Sequence, residues 1–362
     1  MIQPKLMAGN QWLTLSDLKA GKVADNITEH ERNAIQFCQR WLNGAQEFEF
    51  KTSGSTGTPK QISFKRDELE SSARLTERAL HLQSGYNALI CLDTRFIAGA
   101  MMMVRSLVTG MNMILRSPSA IPLNDLAEQI DFAAFVPYQV ITMLEQTPAQ
   151  FDKLETIIIG GAPLKNEVLG QLQGRSTSFY ATYGMTETIG HIALQKLNGH
   201  DHQDYFEFLP GITGSMDDRG CLILNVPHLH QPTVITNDLV NLFDKNKFRW
   251  VGRYDRVINS GGIKVHAEKV EGEVENLFKE LEIQKRFFII GMPDQKLGER
   301  VALVLEGLKM NPNQEDAFKV QLAQRLNAYE IPKLLLYIPR FIETATQKID
   351  RAGTMKTQIE SR

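Results

Sequence analysis

Long apolar runs are missing from this chain of 362 residues. A helix crossing a bilayer needs roughly 18 consecutive apolar residues. The longest apolar-rich stretch, Phe96 to Leu115, is interrupted by Arg105, Gly110 and Asn112. Cysteine is scarce. Cys38, Cys91 and Cys221 are far apart in the chain, which excludes a disulfide framework or a Cys-rich metal site and reads as buried thiols in a reducing compartment. Neither sign of charge dominates, with 40 Lys and Arg against 42 Asp and Glu. Nothing therefore marks a nucleic-acid or membrane-surface partner. No basic segment followed by an apolar core opens the sequence, so cytoplasm is the expected compartment. Repeats and low-complexity tracts are absent too.

What is present is ordinary globular text, 43% hydrophobic and 23% charged, long enough for two domains. Residues 1–47 read as a short helical entry, with Ala34, Phe37, Cys38 and Trp41 on one face. From 67 to 240 the sequence alternates. Helices are expected over 67–82, 99–109, 123–129 and 137–145, and strands over 88–92, 111–115, 132–136 and 156–159. Such β-α-β-α text predicts an α/β fold with a doubly wound sheet. From about 211 to 255 short strands separated by turns suggest a small barrel-like antiparallel set. A compact α+β module follows, with helices over 267–281 and 314–329. The expected domains are therefore 1–252 and 253–362.

One stretch concentrates polar chemistry. Lys51 and Thr52-Ser53-Gly54-Ser55-Thr56-Gly57-Thr58-Pro59-Lys60 lie between two alternating runs, Phe48 to Lys51 and Gln61 to Phe64. Glycine lets backbone N–H groups approach a ligand, hydroxyls add donors, and lysine adds a point charge. That combination suits a polyanion such as a triphosphate. It is not a Walker A loop, because Gly57 is followed by Thr58-Pro59-Lys60. A plain polar turn is the competing reading.

Five further places carry chemistry. Ile157-Ile158-Ile159 runs into Gly160-Gly161-Ala162-Pro163, a glycine turn where a flat base could lie against backbone. Tyr180 to Thr188 offers Tyr183 for stacking, Gly184, the hydroxyl of Thr186, and Glu187 as a ligand for Mg²⁺ bridging phosphates. Asp238 could accept both hydroxyls of a ribose, and Arg253 could add a contact to sugar or phosphate. Ser260-Gly261-Gly262 forms a second glycine turn. Lys348 precedes Ile349-Asp350-Arg351. Each has a plainer reading: a strand-to-helix turn, a helix-terminal acid, a turn aspartate, a solvated lysine.

Taken together and in this order, the pieces resemble the adenylate-forming superfamily of acyl-CoA synthetases, peptide-synthetase adenylation domains and luciferases. The resemblance covers about residues 48 to 351. It implies a two-step reaction. A carboxylate attacks the α-phosphorus of ATP, releasing pyrophosphate, and a thiol, usually that of coenzyme A, then displaces AMP. It further implies that Thr52 to Gly57 with Lys60 hold the outer phosphates, and that Gly160 to Pro163 with Tyr183 and Gly184 frame adenine. Thr186 and Glu187 would serve the α-phosphate and Mg²⁺, Asp238 and Arg253 the ribose, and Lys348 the reacting carboxylate and α-phosphate. Asp255 matches the hinge about which the C-terminal module turns, bringing Ser260-Gly261-Gly262 towards the thiol. The residue after the hinge is Arg256 where the family usually has Asp, and Phe96-Ile97-Ala98-Gly99 stands where a His-Gly pair is common. The region before the polar loop is shorter than in most members.

Within the superfamily the chain is most similar to the ligases that activate 2-succinylbenzoate in menaquinone biosynthesis. That substrate is an aromatic keto diacid, so the unreacting carboxylate needs a cation or donors inside an apolar pocket. Arg105 and His191 are the candidates, with Phe96 nearby, against helix capping or a local ion pair for Arg105 and a satisfied core histidine for His191. Other aryl- or acyl-CoA ligases, and an adenylation module loading a carrier protein, share every nucleotide motif. No nucleic acid or membrane insertion is expected. The oligomeric state is left open, a homodimer among the options. Lys348→Ala is expected to abolish acyl-adenylate formation, read by pyrophosphate exchange, and to spare thioester formation from supplied acyl-AMP. Equal loss in both half-reactions would remove Lys348 from this role.

Overall fold

The computed structural model describes residues 3–51, 61–164, 166–343 and 349–360. Its larger part is a sheet of thirteen strands. The middle is parallel: Lys5–Ala8, Asn112–Leu115, Asn87–Ile90, Ile130–Phe135, Leu154–Ile159 and Ser178–Met185 lie side by side in that order. These strands are short apolar runs because both faces are covered. Alternate residues divide between two cores. Ala88, Ile90, Phe132, Ala134 and Ile158 join one, under the helices Glu29–Leu42, Arg66–Leu80 and Ile97–Thr109. Leu89, Ala133, Phe135, Ile157 and Ile159 join the other, beside Pro137–Gln146 and Asn166–Leu172. The chain thus forms the mixed α/β architecture expected of it.

Antiparallel strands continue the same hydrogen-bonded path from Ser178–Met185 through Gly190–Lys196, Phe206–Phe208, Lys247–Arg253, Thr233–Asp244, Cys221–Asn225 and Thr213–Met216. A second, five-stranded sheet begins at Val257–Ser260 and carries the helices Ala267–Glu280 and Pro312–Arg325 over one core. A single 3₁₀ turn, Tyr254–Arg256, joins the two sheets. Among the described residues no helix is long and apolar enough to cross a membrane. All three cysteines are free and buried.

Two local expectations fail. The entry segment is not only helical, since Lys5–Ala8 and Gln11–Thr14 form a hairpin on the sheet edge. The pairing that recruits it, Leu6 with Met113 and Met7 with Ile114, spans over a hundred residues and leaves no local signature. Residues 123–129 are turns. Leu123 and Leu126 are buried at helical spacing, which mimics a helix, but Asp125 between them has φ 57° and breaks any continuation.

Gly99 seats the helix Ile97–Thr109 on the end of its preceding strand. A Cβ there would lie 2.4 Å from the Asp93 carbonyl oxygen and 2.5 Å from that of Leu92. Both are backbone and cannot swing aside. Gly99→Ala is therefore expected to cost about 1–3 kcal/mol of stability, measured by denaturant unfolding.

Candidate active site

Asp238 is the best-connected of the candidates. Strand register sets it opposite Arg253. Its side chain is buried at 5% exposure and needs donors. The Tyr183 hydroxyl donates to Oδ2 at 2.7 Å and the Trp250 indole N–H to Oδ1 at 3.3 Å. Arg253 Nη1 lies 3.6 Å from Oδ1. The Asp238 N–H donates to Thr236 Oγ1 at 3.0 Å, and that hydroxyl donates to the Leu222 carbonyl at 2.8 Å. Tyr183, expected to stack on a base, is only 9% exposed. Its ring packs edge-on against Phe248 and tilted against Phe206, at 4.9 and 5.9 Å between centroids. Burial, then the neighbouring Asp238 charge, pushes its hydroxyl pKa up, so it remains a donor.

Arg253 also faces the junction between the two sheets. Its Nη2 and Nε donate to Asp255 at 2.7 and 3.1 Å. This fork holds the Asp255 carboxyl below its ordinary value. The next residue, Arg256, binds the other way: Nη1 meets Glu268 at 2.7 Å and Nη2 meets Glu271 at 2.7 Å, both on the first helix of the small sheet. Glu271 also accepts the Ile289 N–H at 2.9 Å and pairs with Arg351 at 3.2 Å. The arginine that departs from the family pattern is thus matched by two carboxylates. Glu268 packs against Gly252, where a Cβ would lie 2.8 Å from its Oε2.

The glycine turn and the Tyr180–Thr188 cluster both sit at carboxyl ends of parallel strands, where ligands of such sheets collect. The Gly160 N–H donates to the Phe135 carbonyl at 3.1 Å. Gly161 has φ +94°, and Gly161, Ala162 and Pro163 are exposed. Thr186 is half-buried and Glu187 exposed, on the 3₁₀ turn Thr186–Thr188. Ile189 follows with φ 57° although it is β-branched and fully buried. Such a residue stores about 1–3 kcal/mol of strain. Thr188 holds it by accepting the Met185 N–H at 3.0 Å and donating to the Gly190 carbonyl at 2.8 Å. Gly184 is obligatory, because a Cβ would fall 2.0 Å from the Gly190 carbonyl oxygen.

Arg105 and His191 come together. Arg105 Nη2 is 3.2 Å from His191 Nδ1, its Nε donates to Thr76 Oγ1 at 3.2 Å, and Thr76 Oγ1 is 3.0 Å from His191 Nε2. An arginine only donates, so Nδ1 accepts and the ring proton sits on Nε2. Arg105 is 3% exposed and has no carboxylate partner among the described residues. The alternatives of a capped helix end or a local acid are therefore not what is found. Burial alone pulls its guanidinium down to about 9. Phe96 is half-buried at the helix N-cap, and Met101, Met102 and Met103 are core.

Ser260-Gly261-Gly262 stands apart, as a two-residue hairpin turn with φ +61° and +80° at the glycines, packed on Leu297 and Tyr329. Thr52 to Gly57, Lys60 and Lys348 lie outside the described residues. Among the described residues no cluster of three or more potential metal ligands occurs. One exposed carboxylate such as Glu187 still fits Mg²⁺, which takes most of its ligands from phosphates and water. Sequence reasoning missed Trp250 and Thr76. Neither lies within a recognisable motif: hairpin register brings Trp250 to Asp238, and helix packing brings Thr76 to Arg105 and His191.

Burial, then Arg105, holds the His191 imidazole well below its usual 6.5, so it stays neutral in the native protein. The unfolded chain binds the extra proton as pH falls through that value, so stability drops with acidification. This group alone should remove about 1.4 kcal/mol between about pH 7.5 and 5.5. His30 and His228, also depressed by burial, add to the slope. His191→Gln is expected to flatten the pH dependence of urea unfolding by that one-proton share.

The profile of the AMP-binding enzyme family matches residues 51–215. A solved acyl-CoA synthetase (AMP-forming)/AMP-acid ligase II-like protein of Dyadobacter fermentans is 38% identical, covering 94% of this chain and 97% of its own, with a TM-score of 0.63. A 2-succinylbenzoate–CoA ligase of Listeria monocytogenes is 26% identical over 92% of this chain and 74% of its own length. The o-succinylbenzoate coenzyme A synthetase of Bacillus subtilis, solved with ATP and magnesium, shares the fold at 19% identity and a TM-score of 0.71, over 85% of this chain and 69% of its own. The chain belongs to the AMP-binding enzymes of the adenylate-forming superfamily.

Proposed function

We propose that this enzyme is an ATP-dependent acid–CoA ligase whose acid is 2-succinylbenzoate, acting in menaquinone biosynthesis. A carboxylate oxygen forms a bond to the α-phosphorus of ATP while the bond to pyrophosphate breaks. The thiol of coenzyme A then forms the thioester and AMP leaves. The observation that carries the choice of acid is Arg105, a buried cation that among the described residues has no carboxylate partner and is ligated by Thr76 and His191. An uncompensated buried charge is costly, and the second carboxylate of a diacid would neutralise it. Neutral His191, with its proton on Nε2, keeps Arg105 free of a competing charge. Relatives named 2-succinylbenzoate–CoA ligase support the same reading.

For the nucleotide, Asp238 accepts the ribose hydroxyls with Arg253 beside it, and Gly160 to Pro163 and Gly184 frame the base, while Tyr183, buried against Phe206 and Phe248, holds Asp238 rather than stacking on the base. Thr186 and Glu187 serve the α-phosphate and its Mg²⁺, which draws charge from the phosphate oxygens when bound. The polar loop with Lys60, and Lys348, complete the cationic surround that lets two anions meet. Residues 253–362 act as a mobile domain turning at Asp255, carrying Ser260-Gly261-Gly262 to the thiol.

The test is pyrophosphate release over a panel of aromatic and aliphatic acids, with and without coenzyme A. 2-Succinylbenzoate should be preferred, and AMP release should require coenzyme A. Preference for a monoacid, or transfer only to a carrier-protein thiol, would replace this reading. Arg105→Ala is expected to raise KM for the diacid tenfold or more, about the value of a hydrogen bond to a charged group, and to leave KM for ATP unchanged. An unchanged KM for the acid would remove Arg105 from the pocket.

A further inference from the structure

Arg256 follows Asp255 directly, and Arg351 follows Lys348 by three residues. These two arginines, far apart in the chain, share one carboxylate. Glu271 Oε1 meets Arg256 Nη2 at 2.7 Å, Arg351 Nη2 at 3.2 Å and the Ile289 N–H at 2.9 Å. Glu268 takes the other arm of the Arg256 fork, Nη1, at 2.7 Å. Two guanidiniums and two carboxylates thus balance, and none of the four side chains is more than 33% exposed. Glu268 also attracts Arg351 from further off, and Arg256 repels it. Arg351 lies over the Phe288 ring, 5.6 Å from its centroid, and opens the helix Arg351–Glu360. The residues before it are fastened too. Ile349 pairs with Glu343, the Asp350 N–H donates to the Ile342 carbonyl at 2.8 Å, and Arg286 Nη1 meets Glu343 at 2.6 Å.

We propose that Arg256, acting through Glu271 and Arg351, is a positioning residue for Lys348 in acyl-adenylate formation. This rests on the reading of Lys348 given above and goes beyond it, because the resemblance assigns no such role to the residue after the hinge. The physical reason is charge. Arg256 occupies Glu268 and shares Glu271, so Arg351 is held at one partner and in one place. Without the Arg256 charge the cluster is left net negative, and Arg351 is drawn between two carboxylates. The first turn of its helix follows, and the chain carrying Lys348 shifts with it. Misplacing a reacting group by about 1 Å costs up to about 100-fold in rate. All four charged groups come after Asp255, so a turn there carries them as one unit. The thiol step, in which Lys348 takes no part, does not depend on them.

The experiment compares the two half-reactions of the whole protein, native and with Arg256→Gln, Arg256→Lys or Lys348→Ala. The first is ATP–pyrophosphate exchange with the acid that the native protein activates best in the panel above. The second is thioester formation from the corresponding acyl-AMP and coenzyme A. Arg256→Gln should lower kcat for exchange about 10- to 100-fold, with KM for ATP and acid unchanged and thioester formation at the native rate. Arg256→Lys keeps the charge but not the fork, and should show a smaller loss confined to exchange. Adding Glu268→Gln to Arg256→Gln removes the surplus negative charge and should restore exchange in part. A merely structural role predicts further loss in that pair and equal losses in both half-reactions. Either result, or native exchange in Arg256→Gln, overturns the positioning role. If Arg256→Gln fails to fold, Arg256→Lys carries the test, and native exchange or equal losses in it overturn the role. Lys348→Ala separates this from the reading beneath it. Exchange that survives Lys348→Ala sinks both, whereas exchange lost in Lys348→Ala and kept in Arg256→Gln sinks the positioning role alone.

Discussion

A carboxylate taken almost wholly out of water must be surrounded by donors, and Asp238 shows what that demands of a sheet. Its three partners, Tyr183, Trp250 and Arg253, come from two strands that are themselves separated along the hydrogen-bonded order. Parallel and antiparallel parts of the sheet must therefore be in register with each other for the group to be satisfied. The aromatic cluster of Phe206, Phe208 and Phe248 supplies that rigidity, stacked within 4.8 to 5.5 Å. Stability and the candidate ribose site rest on the same few contacts.

The junction between the sheets is governed by charge in a related way. Asp255 is bound back to Arg253 on the large sheet, and Arg256 is bound forward to Glu268 and Glu271 on the small one. Neighbouring residues are thus fastened to opposite sides. The rotation proposed for the smaller part would be concentrated in the peptide between them, and Arg253 ties the junction to Asp238. Only the pair Lys279 and Glu167, at the surface, adds a salt bridge across the two parts among the described residues, and an exposed pair of this kind contributes little.

Arg105 poses the opposite problem. Its neighbours are neutral, and the protein tolerates the charge by lowering its basicity and that of His191. Structural ion pairs rarely look like this, because a local carboxylate would be the cheaper solution. The strained Ile189 lies beside the same network, with its carbonyl accepting Ser72 Oγ at 3.3 Å. Local consistency is broken at the same place twice, which is where function is expected to override stability.

Much was legible from the amino acids alone. Apolar runs such as Ile157-Ile158-Ile159, spaced by amphipathic helices, determined the doubly covered parallel sheet, because two-sided burial needs an uninterrupted apolar strand. The order of the short polar motifs carried the resemblance to the superfamily, to which the comparisons show the chain belongs. Tertiary structure alone decided the rest. Leu6 pairs with Met113, Trp250 reaches Asp238, and Thr76 closes the ring between Arg105 and His191. The helix expected at 123–129 gave way because burial of Leu123 and Leu126 is reached through turns. Leu6 and Met113, and Thr76 and His191, are far apart in the chain, and Trp250 meets Asp238 only through the register of its hairpin, so periodicity and spacing hold no trace of these contacts. They exist only once the sheets have packed.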